Sequence, residues 1–397
     1  MRNIIKLARL ISGMPIYLVS RLIPSSENIW AFGSWHGNKY GDSSKILFEH
    51  VSKHHPEIRS IWITKNKRTL NLVSSKGYEV YYAFTLKGFW MMSRSGVNIF
   101  NVSFNDISKF VPAKVLINLW HGIPLKKIGY DNTVSKVIDK SNKRRLKKIF
   151  PYIRGEEYVD LAIASSDREA KQLESAFDLP PEKVFVSGLP RNDVFQQPQT
   201  NTNTKSIIYL PTWRNNGSSK LTDLLASSAD NINNTLASIN VVMYIKLHPN
   251  NEKDLSLKEY SNIKILSDEE IEQDIYSKIN DFDIMITDYS SIYFDFLLSD
   301  NPVIFTQFDH AEYISQNREL YYDYDTVTPG PKCSDWNDAM KWVERFNCNP
   351  SEYKNERLEM KNLFHKFQDG QSCERVFQKI LSVSGAKVAR GCFKSKL

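Results

Sequence analysis

The first half of the chain alternates short, continuous apolar runs with longer segments of mixed polarity. Continuous apolar runs are typical of strands that are buried on both faces of a parallel sheet. The longer segments have helix length, and Ser166 followed by Glu169 has the spacing of a capping box that opens a helix through Phe177. Strand and helix repeat in turn, so the pattern predicts a doubly wound α/β layer. The predicted strands are 28–33, 61–64, 79–82, 97–101, 114–120, 161–164 and 184–187.

The second half repeats this pattern after a polar interruption. Residues 196–204 read QQPQTNTNT and lack apolar periodicity, which predicts a linker over 196–205. Two Rossmann-like domains, 25–195 and 206–380, are therefore expected to face a central cleft in a GT-B-like α/β fold, with a basic tail over 381–397. The sequence contains neither a GxGxxG nor a P-loop motif. The further strands are predicted at 206–210, 241–247, 263–266, 283–287 and 302–306.

The N-terminal segment 1–24 has the pattern of an amphipathic, membrane-associating helix. Its basic face carries Arg2, Lys6 and Arg9, and its apolar face carries Ile4, Leu7, Ala8 and Ile11. The apolar stretch 10–22 is interrupted by Gly13 and Pro15 and is shorter than the roughly 20 residues that span a bilayer. We expect this helix to lie in the headgroup plane of a membrane, and the alternative is a helix packed on the protein body.

The charge of the chain is positive but modest. A formal net charge of +7 indicates anionic partners, or simply colloidal solubility. The basic stretch 136–148 predicts a second contact with an anionic membrane surface, with a solvated helix face as the alternative. Nucleic acid is not an expected partner, because no basic and aromatic platform is visible in the sequence.

The cysteines and carboxylates give no sign of a metal site. All four cysteines lie in the last part of the chain, and none forms a CxxC pair or has a histidine at finger spacing. We therefore predict free thiols in a reducing compartment and no bound metal. We predict no cofactor; the alternative is a divalent cation, which Asp288 would reach.

Two histidines follow predicted strands directly. Ligands of open α/β sheets bind beyond the carboxyl ends of the strands, so residues at these ends are the first candidates for chemistry. His121 follows the strand 114–120, where Gly122 and Pro124 force a turn, and His248 follows the strand 241–247. Histidine suits proton abstraction near neutral pH. A purely structural histidine is the alternative in either position.

Groups suited to phosphate follow the other strands of the second half. The guanidinium of Arg214 matches phosphate geometry, and the hydroxyl of Ser290 is predicted to lie at a helix start, where free backbone N–H groups attract anions. A simple helix cap is the alternative for Ser290. The donor and phosphate-binding candidates are Thr212, Arg214, Lys246, Asp288, Ser290, Ser291 and Arg191.

A series of motifs runs through the chain from residue 29 to residue 376. They are FGSWHGNKYGDSSK at 32–45, WHGIPLKKIG at 120–129, GLPRND at 188–193, YLPTWR at 209–214, KLHP at 246–249 and TDYSSIYFDF at 287–296. In this order and spacing they resemble the CDP-glycerol glycerophosphotransferases of teichoic-acid and capsule synthesis. The chain departs from the family pattern at Ile123, where Thr is common, and at Trp213, where Phe is common. These departures bear on the donor more than on the reaction.

The resemblance implies a reaction and roles for the residues that match. An acceptor hydroxyl attacks the phosphate nearest the polyol of a CDP-polyol donor, and CMP leaves. His121 and His248 are implied to be catalytic, with His121 as the base, while Asp288, Ser290 and Ser291 hold the donor phosphates. The expected acceptor is lipid-linked or a polysaccharide, at the cytoplasmic face of the bacterial membrane. The candidate residues on the acceptor side are His36, Lys126 and Lys127.

Other functions stay open at this level. A GT-B glycosyltransferase that uses a nucleotide sugar is the main alternative, and it would release a nucleoside diphosphate rather than CMP. The sequence leaves open whether the polyol is glycerol or ribitol, which acceptor is used, and whether one unit or many are added. It also leaves the oligomeric state open.

Overall fold

The structure, a computed structural model, describes residues 2–132, 150, 152, 156–199, 204–212, 219–247, 258–308 and 319–386, with the backbone alone at 2–10 and 219–220. The chain divides into two compact units. Unit 1 takes its described residues from Met1–His121, Ser135–Asp193 and Asp369–Leu397, and unit 2 takes them from Gly122–Val134 and Val194–Gln368.

Unit 1 is built on a seven-stranded parallel sheet with the order β3-β2-β1-β4-β5-β6-β7. The strands predicted in the first half of the sequence are confirmed, with ends that differ by a few residues at most. Strands β4 and β6 are buried throughout, which is why they appear as largely apolar runs in the sequence. The strands are β1 (Ser26–Phe32), β2 (Arg59–Thr64), β3 (Val80–Tyr82), β4 (Ser95–Phe100), β5 (Val115–Asn118), β6 (Leu161–Ala164) and β7 (Val184–Val186).

Helices flank the sheet of unit 1. The cap predicted at Ser166 is present, because its hydroxyl accepts the backbone N–H of Glu169 at 3.2 Å. The Glu169 carboxylate accepts the N–H of Ser165 at 2.6 Å. Ser165 is the residue before the N-cap, whereas a capping box would use the N–H of the N-cap itself. The helices are α1 (Arg2–Leu22), α2 (Asp42–His54), α3 (Lys67–Ser75), α4 (Leu86–Arg94) and α5 (Asp167–Phe177).

Unit 2 repeats the architecture with a six-stranded parallel sheet of order β10-β9-β8-β11-β12-β13. The strands predicted in the second half are confirmed, and β13 was not predicted because two residues carry no recognisable periodicity. The strands are β8 (Lys205–Leu210), β9 (Val241–Ile245), β10 (Ile263–Ile265), β11 (Ile284–Thr287), β12 (Val303–Thr306) and β13 (Lys332–Cys333). The helices are α6 (Ser219–Ser238), α7 (Ile292–Phe296), α8 (Tyr324–Val327), α9 (Trp336–Cys348) and α10 (Lys354–Phe364).

The last described helix, α11 (Ser372–Ser384), belongs to unit 1, whereas the sequence prediction placed residues 372–380 in the second domain and the rest of the helix in the basic tail 381–397. Its buried stripe includes Val376, Phe377 and Ile380, which join the core of unit 1. The ring of Phe377 lies 5.5 Å from that of Trp30 on β1. The membership of α11 in unit 1 therefore depends on where this apolar stripe is buried. The order of the elements along the sequence does not reveal this packing.

The N-terminal helix α1 continues through Gly13 and Pro15, the two residues that interrupt the apolar stretch 10–22. Gly13 lies against the ring of Phe110, and Ser20 is buried. The side chains of Arg2, Lys6 and Arg9 and the basic stretch 136–148 lie outside the described residues, so the predicted basic faces stay predictions. None of the helices that the structure describes is long and apolar enough to cross a membrane.

Candidate functional site

The site in unit 1 forms where the strand order changes direction, at the carboxyl ends of β1, β4 and β5. β1 and β4 are neighbours in the sheet, and the chain leaves them toward opposite edges. This switch point opens a crevice in parallel sheets, which is where their ligands bind. We call the residues gathered there, His36, Asp42, Asp106, His121 and Arg191, the unit 1 site.

The carboxylate of Asp106 organises the loops of the unit 1 site. It is buried and accepts the backbone N–H groups of His36 at 2.8 Å, Asn101 at 3.1 Å and Val102 at 2.8 Å. Burial raises the pKa of Asp106, and these N–H bonds oppose the rise. Sequence reasoning missed Asp106, although Ser103 three residues before it gives the pattern of a capping box, which the structure contains.

His36, a predicted acceptor-side residue, is presented by the loop after β1. Its backbone is left-handed, with φ at 58°. Its Nδ1 lies 3.2 Å from the hydroxyl of Ser103, and more than half of the side chain is exposed. The ring is thus fixed at one nitrogen and accessible to a ligand.

His121 lies in the turn that follows the end of β5 at Asn118, at the carboxyl end of the strand as predicted. The backbone of Trp120 is left-handed, with φ at 55°, and its N–H donates to the Asn118 side chain at 2.9 Å, so a tight turn presents the histidine. Nδ1 of His121 lies 3.2 Å from the carbonyl oxygen of Asn101. A carbonyl oxygen only accepts, so Nδ1 carries the proton and Nε2 of the neutral ring has the lone pair. This tautomer is the one that a general base at Nε2 requires.

A buried ion pair lies beside this imidazole. Nη1 of Arg191 donates to Oδ1 of Asp42 at 3.0 Å, and both side chains are almost fully buried. Burial lowers the pKa of His121, the negative charge of Asp42 raises it, and Arg191 and His36 lower it further. The sum keeps the ring neutral at neutral pH, so it is ready to accept a proton.

Asp42 was not singled out from the sequence, although it lies within the motif at 32–45. It opens α2 with a left-handed backbone, φ 65°. The hydroxyls of Ser43 and Ser44 beside it are buried and have no hydrogen-bond partner among the described residues. Arg191, predicted as a donor-binding residue within the first domain, lies in unit 1, whereas the other donor-binding candidates that the structure describes belong to unit 2.

The site in unit 2 lies at the corresponding switch point, after β8 and β11. Oδ1 of Asp288 accepts both the backbone N–H of Thr212 at 2.7 Å and its hydroxyl at 2.5 Å. The Thr287 hydroxyl donates to the Leu210 carbonyl at 2.6 Å. The two strand ends are therefore fastened together. Thr212, Asp288, Ser290 and Ser291 are called the unit 2 site below.

The serines of the unit 2 site precede α7. Ser291, rather than Ser290, is the N-cap, and its hydroxyl makes no capping bond. Because α7 contains five residues, its dipole is small, and the hydroxyls are the main polar groups at this end. The carbonyl of Asp288 accepts the hydroxyl of Tyr324 at 2.9 Å, which ties the start of this loop to α8.

The remaining candidate residues are not among those that define the two sites. Nζ of Lys246 pairs with Oδ1 of Asp268 at 3.0 Å. Lys127 pairs with Glu319 at 2.6 Å, and Lys126 bridges to Leu320, so both lysines belong to unit 2 and not to the predicted acceptor domain. His248 and Arg214 lie outside the described residues.

The sequence predictions on metal ligands and on cysteines can also be compared with the described residues. Within the described part of the chain, no group of three metal-ligating side chains includes Asp288. Cys333, Cys348 and Cys373 are free, as predicted, and Cys392 lies outside the described residues. The divalent cation therefore stays an open alternative.

Two parallel sheets, each with polar groups gathered at its switch point, define a GT-B-like α/β protein with a candidate proton acceptor in one unit and phosphate-binding candidates in the other. The model of the family described as CDP-Glycerol:Poly(glycerophosphate) glycerophosphotransferase matches residues 16–382, and the chain belongs to this family. The enzyme class that the motifs predicted is thereby confirmed: the chain is a glycerophosphotransferase that uses a CDP-activated donor.

Known relatives agree with the family. The chain is 26% identical over 408 residues to the teichoic acid glycerol-phosphate transferase of Staphylococcus aureus, covering 92% of this chain and 96% of that one. It is 25% identical to the teichoic acid ribitol-phosphate primase of Bacillus spizizenii, covering 94% and 96%. The solved structure of the wall teichoic acid polymerase TagF superposes with a TM-score of 0.77 at 22% identity, covering 98% and 97%, and supports the fold.

Proposed function

We propose that the chain transfers glycerol phosphate from CDP-glycerol to a hydroxyl of a lipid-linked or polysaccharide acceptor, in the synthesis of a teichoic-acid-like or capsule polymer. The relatives named above act on teichoic acids, and glycerol phosphate appears in the name of the first. The single observation that carries the chemistry is the bond from Nδ1 of His121 to the Asn101 carbonyl, because it leaves Nε2 free to act as a base.

The transfer is a displacement at phosphorus. The acceptor oxygen forms a bond to the phosphorus nearest the glycerol, the bond from that phosphorus to the bridging oxygen breaks, and CMP leaves with this oxygen. Nε2 of His121 takes the proton of the acceptor hydroxyl. Positioning and electrostatic stabilisation supply most of the rate enhancement in such reactions.

The donor phosphates are assigned to the unit 2 site. The Thr212 hydroxyl donates to Asp288, so Asp288 acts by holding the strand ends rather than by contacting an anion that it would repel. The hydroxyls of Ser290 and Ser291 are the described groups that suit phosphate, and Arg214, Lys246 and His248 complete the proposed set. His248 neutralises charge on the leaving phosphate.

Release of CMP from CDP-glycerol tests the proposal. We expect His121→Ala to lower turnover by about 10²–10⁴-fold, the usual contribution of a histidine base, while binding of CDP-glycerol is largely retained. His54→Ala, which removes an exposed histidine of unit 1, is the matched control and should keep turnover. Near wild-type turnover in His121→Ala would show that this base is wrongly assigned. Parallel assays with CDP-ribitol and a nucleotide sugar distinguish the other donors.

A peripheral position at the cytoplasmic face of the membrane is the second part of the proposal. It is supported by large apolar side chains that are exposed on one pair of packed helices. Leu22 of α1 is 82% exposed, Leu86 of α4 is 90% exposed, and α1 packs against α4. Large apolar side chains that are exposed on neighbouring helices are typical of surfaces that contact a membrane or a partner. The other large apolar residues that are exposed on α1, on α4 and just before α4 are Ile11, Ile16, Leu18, Val19, Phe84 and Trp90.

A further inference from the structure

A cluster of histidines lies in unit 1, away from the residues assigned to the reaction. His50 and His54 lie in the last turns of α2, and His55 directly follows this helix. α11 packs against α2, and Glu374 lies in the first turn of α11. Two helices that are far apart in sequence thus bring the histidine rings at the end of α2 close to the carboxylate of Glu374.

The distances within this cluster match those of a metal-binding site. Oε2 of Glu374 lies 3.2 Å from Nε2 of His50 and 3.0 Å from Nε2 of His55. One ligand atom from each of the three side chains lies within 4.8 Å of the others. Ligands at about 2.0–2.1 Å from a tetrahedral zinc ion are separated by roughly 3.3–3.4 Å, so the ion needs only small side-chain movements.

The surroundings of His55 fix its ring in the orientation that a ligand needs. Its Nδ1 lies 3.5 Å from Oε1 of Glu57, a carboxylate that favours a proton on Nδ1, and a proton there leaves the lone pair of Nε2 for a metal. The ring stacks on Phe377 with 3.5 Å between centroids and 17° between planes. His55 is buried, whereas His50 and Glu374 are partly exposed, which gives an ion an entry path.

We propose that His50, His55 and Glu374 bind a divalent transition-metal ion, with Zn²⁺ as the ion that two imidazoles and one carboxylate suit best. The bound ion links the end of α2 to the start of α11 and so fastens the C-terminal helix to unit 1. The site is separate from the proposed transfer reaction, and the proposal does not depend on that reaction.

A simple ion pair is the competing explanation of the same geometry. Protonated His50 and His55 would each donate to Glu374 without any metal. The two explanations differ in what a metal ion does to the protein, because only a ligand that binds the native state raises its thermal stability.

Zinc binding by the untagged full-length protein tests the proposal. After chelator treatment and dialysis, calorimetric titration with Zn²⁺ should show one site that is lost in His50→Ala and in Glu374→Gln. Glu57→Gln should weaken binding by about 10–100-fold, as expected for a carboxylate that orients a ligand. Zn²⁺ should raise the melting temperature of the wild type and leave that of the two ligand variants unchanged.

His54→Ala is the matched control, because His54 belongs to the same turn but not to the three-residue set. It should keep both the stoichiometry and the rise in melting temperature. The proposal is overturned if the wild type binds no Zn²⁺, or if His50→Ala and Glu374→Gln bind it as the wild type does. Loss of binding in His54→Ala alone would overturn the assigned ligand set. Circular dichroism of each variant shows whether it is folded.

Discussion

The imidazole of His121 experiences charges of opposite sign from the two members of one buried ion pair. Asp42 raises its pKa and Arg191 lowers it, while burial has the largest effect and lowers it below the ordinary value of 6.5. A base must be unprotonated to act, so kcat/KM falls only as the pH drops through this lowered pKa. The acidic limb of the pH profile is therefore expected below pH 6.5.

Substituting Asp42→Asn should move this limb to still lower pH, because the charge that raises the pKa of His121 is removed. The variant should also lose stability, by about 3–5 kcal/mol, since Arg191 is left as an uncompensated buried charge. The pH dependence of CMP release and a denaturant titration measure the two effects. Asp42→Asn combined with Arg191→Met removes both charges and should recover much of the stability. A limb that moves to higher pH would contradict the assignment of His121 as the base.

At the level of elements, the backbones of the loops after β1 and β4 pack closely against each other. A Cβ atom on Gly33 would lie 2.5 Å from the carbonyl oxygen of Asp106, which is closer than real contacts allow. A side chain at this position must therefore displace the loop that carries Asp106 and, through its hydrogen bonds, the backbone of His36.

We expect Gly33→Ala to cost roughly 1–3 kcal/mol of stability, as overpacking does, and to reduce turnover because the loops of the unit 1 site shift. Gly77→Ala is the control, since a Cβ atom there meets nothing within 4 Å and its positive φ of 80° is the only source of strain. It should destabilise the protein while leaving turnover unchanged. Denaturant midpoints and CMP release separate the two outcomes. Equal turnover in both variants would show that the loops adapt.

The elements and the strand-end residues could be predicted because they rest on local patterns. Buried parallel strands appear as continuous apolar runs, and the residue after each strand is known once the strand is known. His121, Thr212 and Asp288 were found in this way. The bond of Asp42 to Arg191 and the packing of α11 depend on contacts between distant parts of the chain, which periodicity does not contain.

On the scale of the whole molecule, the exposed apolar residues of α1, α4 and the loop before α4 lead to a prediction about membranes. The triple variant Phe84→Ser, Leu86→Ser and Trp90→Gln should bind anionic vesicles about tenfold or more weakly. Each of these side chains contributes roughly 1.5 kcal/mol or more when it is buried. Sedimentation with vesicles of defined anionic lipid content measures this.

The control for the vesicle experiment is Leu358→Ser. Leu358 is 45% exposed on α10 of unit 2, so the substitution changes exposed apolar area elsewhere. Vesicle binding should stay at the wild-type level. If the triple variant binds vesicles as the wild type does, α4 and the loop before it are not part of the membrane-contacting surface.

The return of α11 to unit 1 has a consequence for how the protein is made. The backbone N–H groups of Ser372 and Cys373 donate to the carboxylate of Asp193 at 2.9 and 2.8 Å. The apolar side of the helix packs in the same core as Trp30 of β1. A chain that emerges from the ribosome in order presents the sheet of unit 1 long before this helix. Most of unit 1 is thus synthesised before unit 2, but its core cannot be completed until α11 has been made, and until then the apolar surface that α11 covers stays exposed.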